Sequence, residues 1–82
     1  MHVLQVFYVE NSEACQRTLR ILEKAVEQEE ETAMVAHDVT KEEGQRRAEE
    51  FDINTVPTTV VDGDRVIRGV PQSPEQVIQE EN

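Results

Sequence analysis

The chain has a single cysteine, Cys15, among its 82 residues. One cysteine cannot form an internal disulfide, which excludes the disulfide scaffolds of small secreted domains. Metal clusters need several His or Cys ligands, and the acidic run at residues 27–31 has neither type beside it. We therefore expect no metal and no cofactor.

Long apolar runs are also missing. No stretch approaches the roughly 20 apolar residues of a membrane span, and the N-terminus lacks the basic-then-apolar plan of a signal peptide. The apolar residues, 37% of the chain, fall in separated blocks, which is typical of a folded protein. A chain of this length has room for one core. We expect one cytoplasmic, monomeric domain over residues 1–82.

Basic residues are scarce, with 8 Lys plus Arg against 18 Asp plus Glu and a net charge of -10. This charge repels phosphate backbones and anionic lipids, so we expect no nucleic acid and no membrane as a partner. The expected partner is a protein or a small molecule. Only Lys24 and Lys41 are lysines. Few lysines and excess acid resemble proteins of salt-loving organisms, although an ordinary acidic protein is the alternative.

The first third of the chain predicts a strand that leads through a polar turn into a helix. Residues 3–9 form a near-continuous apolar run, which favours a central strand covered on both faces. Asn11 or Ser12 can cap the helix that follows. Apolar residues then recur at helical spacing over residues 14–26, so one side of this helix should face the sheet. Cys15 lies at the start of that helix.

The remaining two thirds predict five more elements. Thr40 and Glu43 have the spacing of a capping box, and Pro57 must lie at the start of a strand because it cannot donate to a ladder. Asp62 and Gly63 form a tight hairpin signal. The predicted elements are a strand at 34–39, a helix from 40 to about 51, strands at 56–61 and 65–70, and a helix that Ser73 caps.

Two single residues in this part allow more than one interpretation. His37 near the end of the second strand is interpreted as a surface or strand-end residue rather than a catalyst, because no nucleophile follows it locally. Gly69 in the last strand suggests either a bulge or the close approach of another backbone.

The order strand, helix, strand, helix, strand, strand, helix resembles the thioredoxin and glutaredoxin family over nearly the whole chain. In that family the turn before the first helix carries Cys-x-x-Cys, and here residues 12–15 read Ser-Glu-Ala-Cys. Residues 51–58, FDINTVPT, resemble the segment that ends in the family's cis-proline, here Pro57. Asp62-Gly63 and Gly69 match the final hairpin. The resemblance implies an α/β thioredoxin-like fold with a four-stranded mixed sheet and helices on both faces.

The resemblance also implies a site with one departure from the family. The family's nucleophile is the first cysteine of the motif, and that position is Ser12 here, whose hydroxyl does not react with disulfides. Ser12 is either a helix cap or a catalytic residue. Cys15 is open to three interpretations: an inert buried side chain, a single-thiol site, or the head of a Cys-x-x-Thr motif that includes Thr18.

Two functions follow from the resemblance. The first is thiol–disulfide redox chemistry, at best with a single thiol at Cys15 and weak activity, in which glutathione or a protein partner supplies the second sulfur. The second is a non-catalytic adaptor that binds proteins in the groove formed by Val56, Pro57 and Thr58. A weaker likeness to the clock protein KaiB, at residues 8–9 and 17–22, is consistent with a lineage that need not be redox active.

Overall fold

The computed structural model describes residues 1–78, and residues 79–82 of the expected domain lie outside the described part. Its elements, in chain order, are β1 (His2–Tyr8), α1 (Glu13–Gln28), β2 (Thr32–Asp38), α2 (Glu42–Glu50), β3 (Thr58–Val61), β4 (Arg65–Arg68) and α3 (Pro74–Val77). The predicted order of strands and helices is confirmed. β3 begins at Thr58 rather than at residue 56, after the Pro57 that cannot donate to the ladder.

The sheet of the described residues has the strand order β2-β1-β3-β4. β1 runs parallel to β2 and antiparallel to β3, and β4 returns antiparallel to β3. β1 is therefore an inner strand, as its apolar run predicts. Leu4, Val6 and Phe7 have no exposed surface, because layers of side chains cover both faces of this strand.

Helices pack on both faces of the sheet. Leu4 and Val6 point to one face, where Leu22 of α1 and Val77 of α3 complete one buried cluster. Phe7 points to the other face and packs with Ala48 of α2 in a second cluster. The alternation of side chains along β1 thus divides the core into two layers.

The hairpin between β3 and β4 turns at Asp62 and Gly63, as predicted. Both residues have positive φ, 55° and 80°, which is the backbone that a tight type I′ hairpin requires. The Asp62 carboxylate accepts hydrogen bonds from the Val3 amide at 2.9 Å and from the His2 ring at 2.8 Å. The hydrogen bond from the Val3 amide, followed by that from His2, lowers the pKa of Asp62. The turn is thereby attached to the first residues of β1.

The capping box expected at Thr40 and Glu43 is wrong. The N-cap of α2 is Lys41, which makes no side-chain cap hydrogen bond. The Thr40 hydroxyl and amide both donate to the Asp38 carboxylate instead, at 2.6 and 2.9 Å. The Asp38 carboxylate thus accepts from the Thr40 amide, the donor that Glu43 would satisfy in a capping box, and the N-cap lies one residue later than the pattern indicates.

His37 is buried, with 9% of its surface exposed, so its interpretation as a surface residue is wrong, although it does lie at the end of β2. Its ring stacks on Phe7 with a centroid distance of 4.9 Å. His37 Nε2 lies 3.1 Å from Gln5 Oε1, and because that oxygen only accepts, Nε2 carries the proton. Arg47 Nη2 donates to the same oxygen at 3.4 Å.

Stability is expected to fall as the pH decreases through about 6.5, where a histidine of the unfolded chain is half protonated. Burial, followed by the charge of Arg47, lowers the pKa of His37 and outweighs the opposing Glu43 and Glu50. The unfolded chain then binds more protons than the folded one, so acid favours unfolding. Urea unfolding at pH 7.5 and 5.5 measures this change. The His37→Gln variant serves as the control and should show a smaller change; equal changes in both proteins would contradict the assignment.

Candidate functional site

Ser12 occupies the N-cap of α1, as one of its two interpretations predicts. Its backbone is extended, with φ -110° and ψ 123°, and its Oγ accepts a hydrogen bond from the Cys15 amide at 3.1 Å. Its carbonyl accepts from the Gln16 amide at 3.0 Å. The Gln16 side chain also donates to the Glu10 carbonyl at 3.2 Å. This second contact closes the turn, and the helical spacing of the apolar residues gave no signal for it.

Cys15 is the third residue of α1 and has no exposed surface. It belongs to the buried stripe that α1 presents to the sheet, together with Thr18, Leu22 and Ala25. The Thr18 hydroxyl donates to the Ala14 carbonyl at 2.9 Å. The N-cap position, which the head of a Cys-x-x-Thr motif would take, belongs to Ser12. The structure therefore places a half-buried hydroxyl at the helix start and the thiol one turn deeper.

Pro57 lies at the same end of the sheet as this turn. The antiparallel register pairs Phe7 with Thr58, so the start of β3 is beside the end of β1, from which the chain turns into α1. The Val56–Pro57 peptide bond is cis. Strand pairing thus brings together two segments that are more than 40 residues apart in the sequence.

The segment around Pro57 is held by its own hydrogen bonds. The buried Thr58 hydroxyl donates to the Thr55 carbonyl at 2.7 Å. The Gly69 amide donates to the Pro57 carbonyl at 2.9 Å. Gly69 has a φ of 81° and open space where a Cβ would lie, so backbone conformation, rather than a bulge or crowding, explains this glycine.

A groove of about 300 Å³ lies directly before Pro57, between α2 and the loop that leads to β3. Its apolar lining is Val39, Ala48, Ile53 and Val56, and its polar lining is Gln45, Glu49, Asn54 and Thr55. Val56 is therefore the one of the three predicted partner-binding residues that lines this groove. Pro57 and Thr58, which follow Val56 in the chain, are buried and do not line it.

Two kinds of feature are absent from the part of the chain that the structure describes. Among residues 1–78, no three His, Cys, Asp or Glu side chains are grouped so that they could hold a metal ion. No helix within those residues is both long and apolar enough to cross a membrane.

The sequence matches a family model described as "Thioredoxin domain" over residues 3–80. This chain belongs to the thioredoxin-domain family. The resemblance to the thioredoxin family is therefore confirmed, and so is the thioredoxin-like fold. No curated protein matches the sequence.

Solved structures show the same thioredoxin fold. The solution structure of oxidised thioredoxin from Plasmodium falciparum superimposes with a TM-score of 0.72 at 22% identity, over 85% of this chain and 69% of that one. A structure described as a malarial protein gives a TM-score of 0.66 at 15% identity, over 84% of this chain and 78% of the other. At such identities the likeness supports the fold of this thioredoxin-family chain.

Proposed function

We propose that this thioredoxin-family protein acts in thiol–disulfide redox systems by binding protein partners, without cycling two thiols of its own. The observation that carries the proposal is the pair formed by Ser12 at the helix cap and Cys15 with no exposed surface. In the family, the cap position holds the attacking cysteine, and the second cysteine resolves the mixed disulfide. Here the accessible group is a hydroxyl, and the resolving position holds the only thiol.

Any chemistry at Cys15 is single-thiol chemistry. Its thiolate would attack one sulfur of a disulfide, form a mixed disulfide and release the other sulfur as a thiolate. A second thiol, from glutathione or from the partner, must then attack the mixed disulfide to free Cys15. Because Cys15 has no exposed surface, the first turn of α1 must open before this attack.

Binding of partners without redox chemistry is the second candidate, and the groove that ends at Val56 favours it. The groove combines an apolar floor with polar side chains at its rim, the composition common in sites that accept a side chain of a partner. It lies beside Pro57 but does not include Cys15. Partner binding there would survive the loss of the thiol.

Reduction of insulin driven by dithiothreitol tests the redox part of the proposal. The wild type is expected to add no more than a few per cent to the rate with dithiothreitol alone, because the Ser12 hydroxyl cannot attack a disulfide and Cys15 has no exposed surface. The Cys15→Ser variant is the control and should match the wild type. A rapid wild-type rate that Cys15→Ser abolishes would contradict the proposal.

Capture of partners with and without reductant separates the two candidates. Partners held through Cys15 should be released by dithiothreitol and lost in Cys15→Ser. Partners held by the groove should remain in both conditions and weaken when the groove is altered by Ile53→Glu. Partners that stay bound in dithiothreitol, and that also bind the Ile53→Glu variant unchanged, would argue against both candidates.

A further inference from the structure

Helix α1 carries three basic side chains in a row on its exposed side. Arg17, Arg20 and Lys24 are spaced three and four residues apart, which places them on one face of the helix. Ile21 lies among them and is half-buried. These four residues line an open depression of about 370 Å³. We refer to them as the basic stripe.

The basic stripe differs from the rest of this acidic chain because it brings three cations together on one helix face, with none of them in an ion pair among the described residues. It holds three of the eight Lys and Arg residues in a chain with a net charge of -10. On α2, by contrast, Arg46 pairs with Glu42 at 3.2 Å and Arg47 with Glu50 at 2.7 Å. Within residues 1–78 the stripe cations make no ion pair, although each has an acidic residue three or four positions away on α1: Glu13, Glu23 and Glu27.

We propose that the basic stripe is a docking surface for an acidic segment of a partner protein. Two or three carboxylates of that segment would pair with the cations, and one apolar side chain would lie on Ile21. An acidic segment is repelled by the excess of carboxylates elsewhere on this chain and attracted at the stripe. Charge complementarity of this kind determines where and in which orientation a partner binds.

The length of the stripe favours a protein segment over a nucleic acid. From residue 17 to residue 24 a helix rises about 10 Å, which two or three successive carboxylates can span. A nucleic-acid backbone carries closely spaced phosphates beyond that distance. Those phosphates would lie over the acidic surface around the stripe, which repels them. The surface makes no use of Cys15, so it does not depend on the redox proposal.

A labelled peptide of twelve residues that alternates glutamate with leucine tests the proposal by fluorescence anisotropy at about 50 mM salt. Its counterpart with glutamine in place of glutamate serves as the uncharged probe. Changing Arg17, Arg20 and Lys24 together to Gln is expected to weaken binding of the acidic peptide about tenfold, since three exposed ion pairs are lost. The matched control changes Lys41, Arg46 and Arg68 to Gln, which removes the same charge elsewhere and should change affinity less than twofold.

Amide chemical shifts give a second readout. During titration with the acidic peptide, the resonances of residues 17–24 should shift at lower peptide concentration than those of other residues. The proposal is overturned if the acidic peptide fails to bind at millimolar concentration or binds no better than its glutamine counterpart. Equal weakening by the two triple variants would also overturn it, because the attraction would then lack a defined site. Tighter binding of a twelve-nucleotide single strand would assign the stripe to nucleic acid instead.

Discussion

The Ser12→Cys variant is expected to close an intramolecular disulfide with Cys15 and to gain reductase activity that the wild type lacks. Ser12 Oγ already lies over the first turn of α1, 3.1 Å from the Cys15 amide, so a sulfur placed there is next to the buried thiol. The helix dipole stabilises a thiolate at this end by about 0.3–1 kcal/mol, although Glu13 in the first turn opposes it. A thiol at the cap, together with the resolving thiol beneath it, completes the exchange cycle.

Counting free thiols after mild oxidation measures formation of the disulfide between residues 12 and 15, and insulin reduction measures the reductase activity. Free thiols should fall from two to none in the oxidised variant. The Asn11→Cys variant is the matched control, because its thiol lies one residue before the cap and should leave both thiols free. The Ser12→Ala variant loses the helix cap, which costs about 1 kcal/mol of stability, but gains no sulfur. It therefore shows which effects of Ser12→Cys come from the lost cap alone. Two free thiols in oxidised Ser12→Cys would show that residues 12 and 15 are not the two motif positions.

The Gly44→Ala variant is expected to lose about 3 kcal/mol or more of folding stability. A Cβ at Gly44 would lie 1.9 Å from the Asp38 carbonyl oxygen and 2.5 Å from its carbon, so α2 would have to move away from the end of β2. These are backbone atoms, which cannot rotate out of the way. In a free helix the same change would stabilise by roughly 0.5–1 kcal/mol, and the clash outweighs this gain.

Thermal unfolding of Gly44→Ala should show a melting temperature lower by roughly 15 °C, given about 4–8 °C per kcal/mol for a domain of this size. Gln45→Ala is the matched control on the next residue, which is exposed and should change stability by less than about 0.5 kcal/mol. A Gly44→Ala protein that melts within a few degrees of the wild type would mean that α2 packs less closely on Asp38 than the structure has it.

The turn into α1 was predictable because its signals are local. The apolar run of β1, the cap at Ser12 and the hairpin at Asp62 and Gly63 each depend on residues within a few positions of one another. The resemblance at residues 51–58 added the position of Pro57 beside that turn, which strand pairing then provides. The turn and the position of Pro57 were therefore open to prediction, whereas Val56 is the one residue lining the groove that was predicted.

Other features depended on contacts that the pattern of a single helix or strand does not contain. The capping box at Thr40 failed because Asp38, two residues earlier, accepts from the Thr40 amide that Glu43 was expected to satisfy. His37 is buried because Gln5 and Phe7 of β1 lie beside it in the parallel register, 30 or more residues away in the sequence. The close contact of Gly44 with Asp38 likewise arises only when α2 packs against β2.

Cys15 shows most clearly how local sequence and tertiary packing determine different properties of one residue. By itself the sequence determined that there is one thiol, that it lies near the start of a helix and that Ser12 precedes it at the motif spacing. Whether that thiol faces solvent or the core was undecided, because a residue at the first turn of a helix can point either way. Only the packing of α1 on the sheet decided it, since the same apolar stripe that buries Leu22 and Ala25 also carries Cys15 into the core.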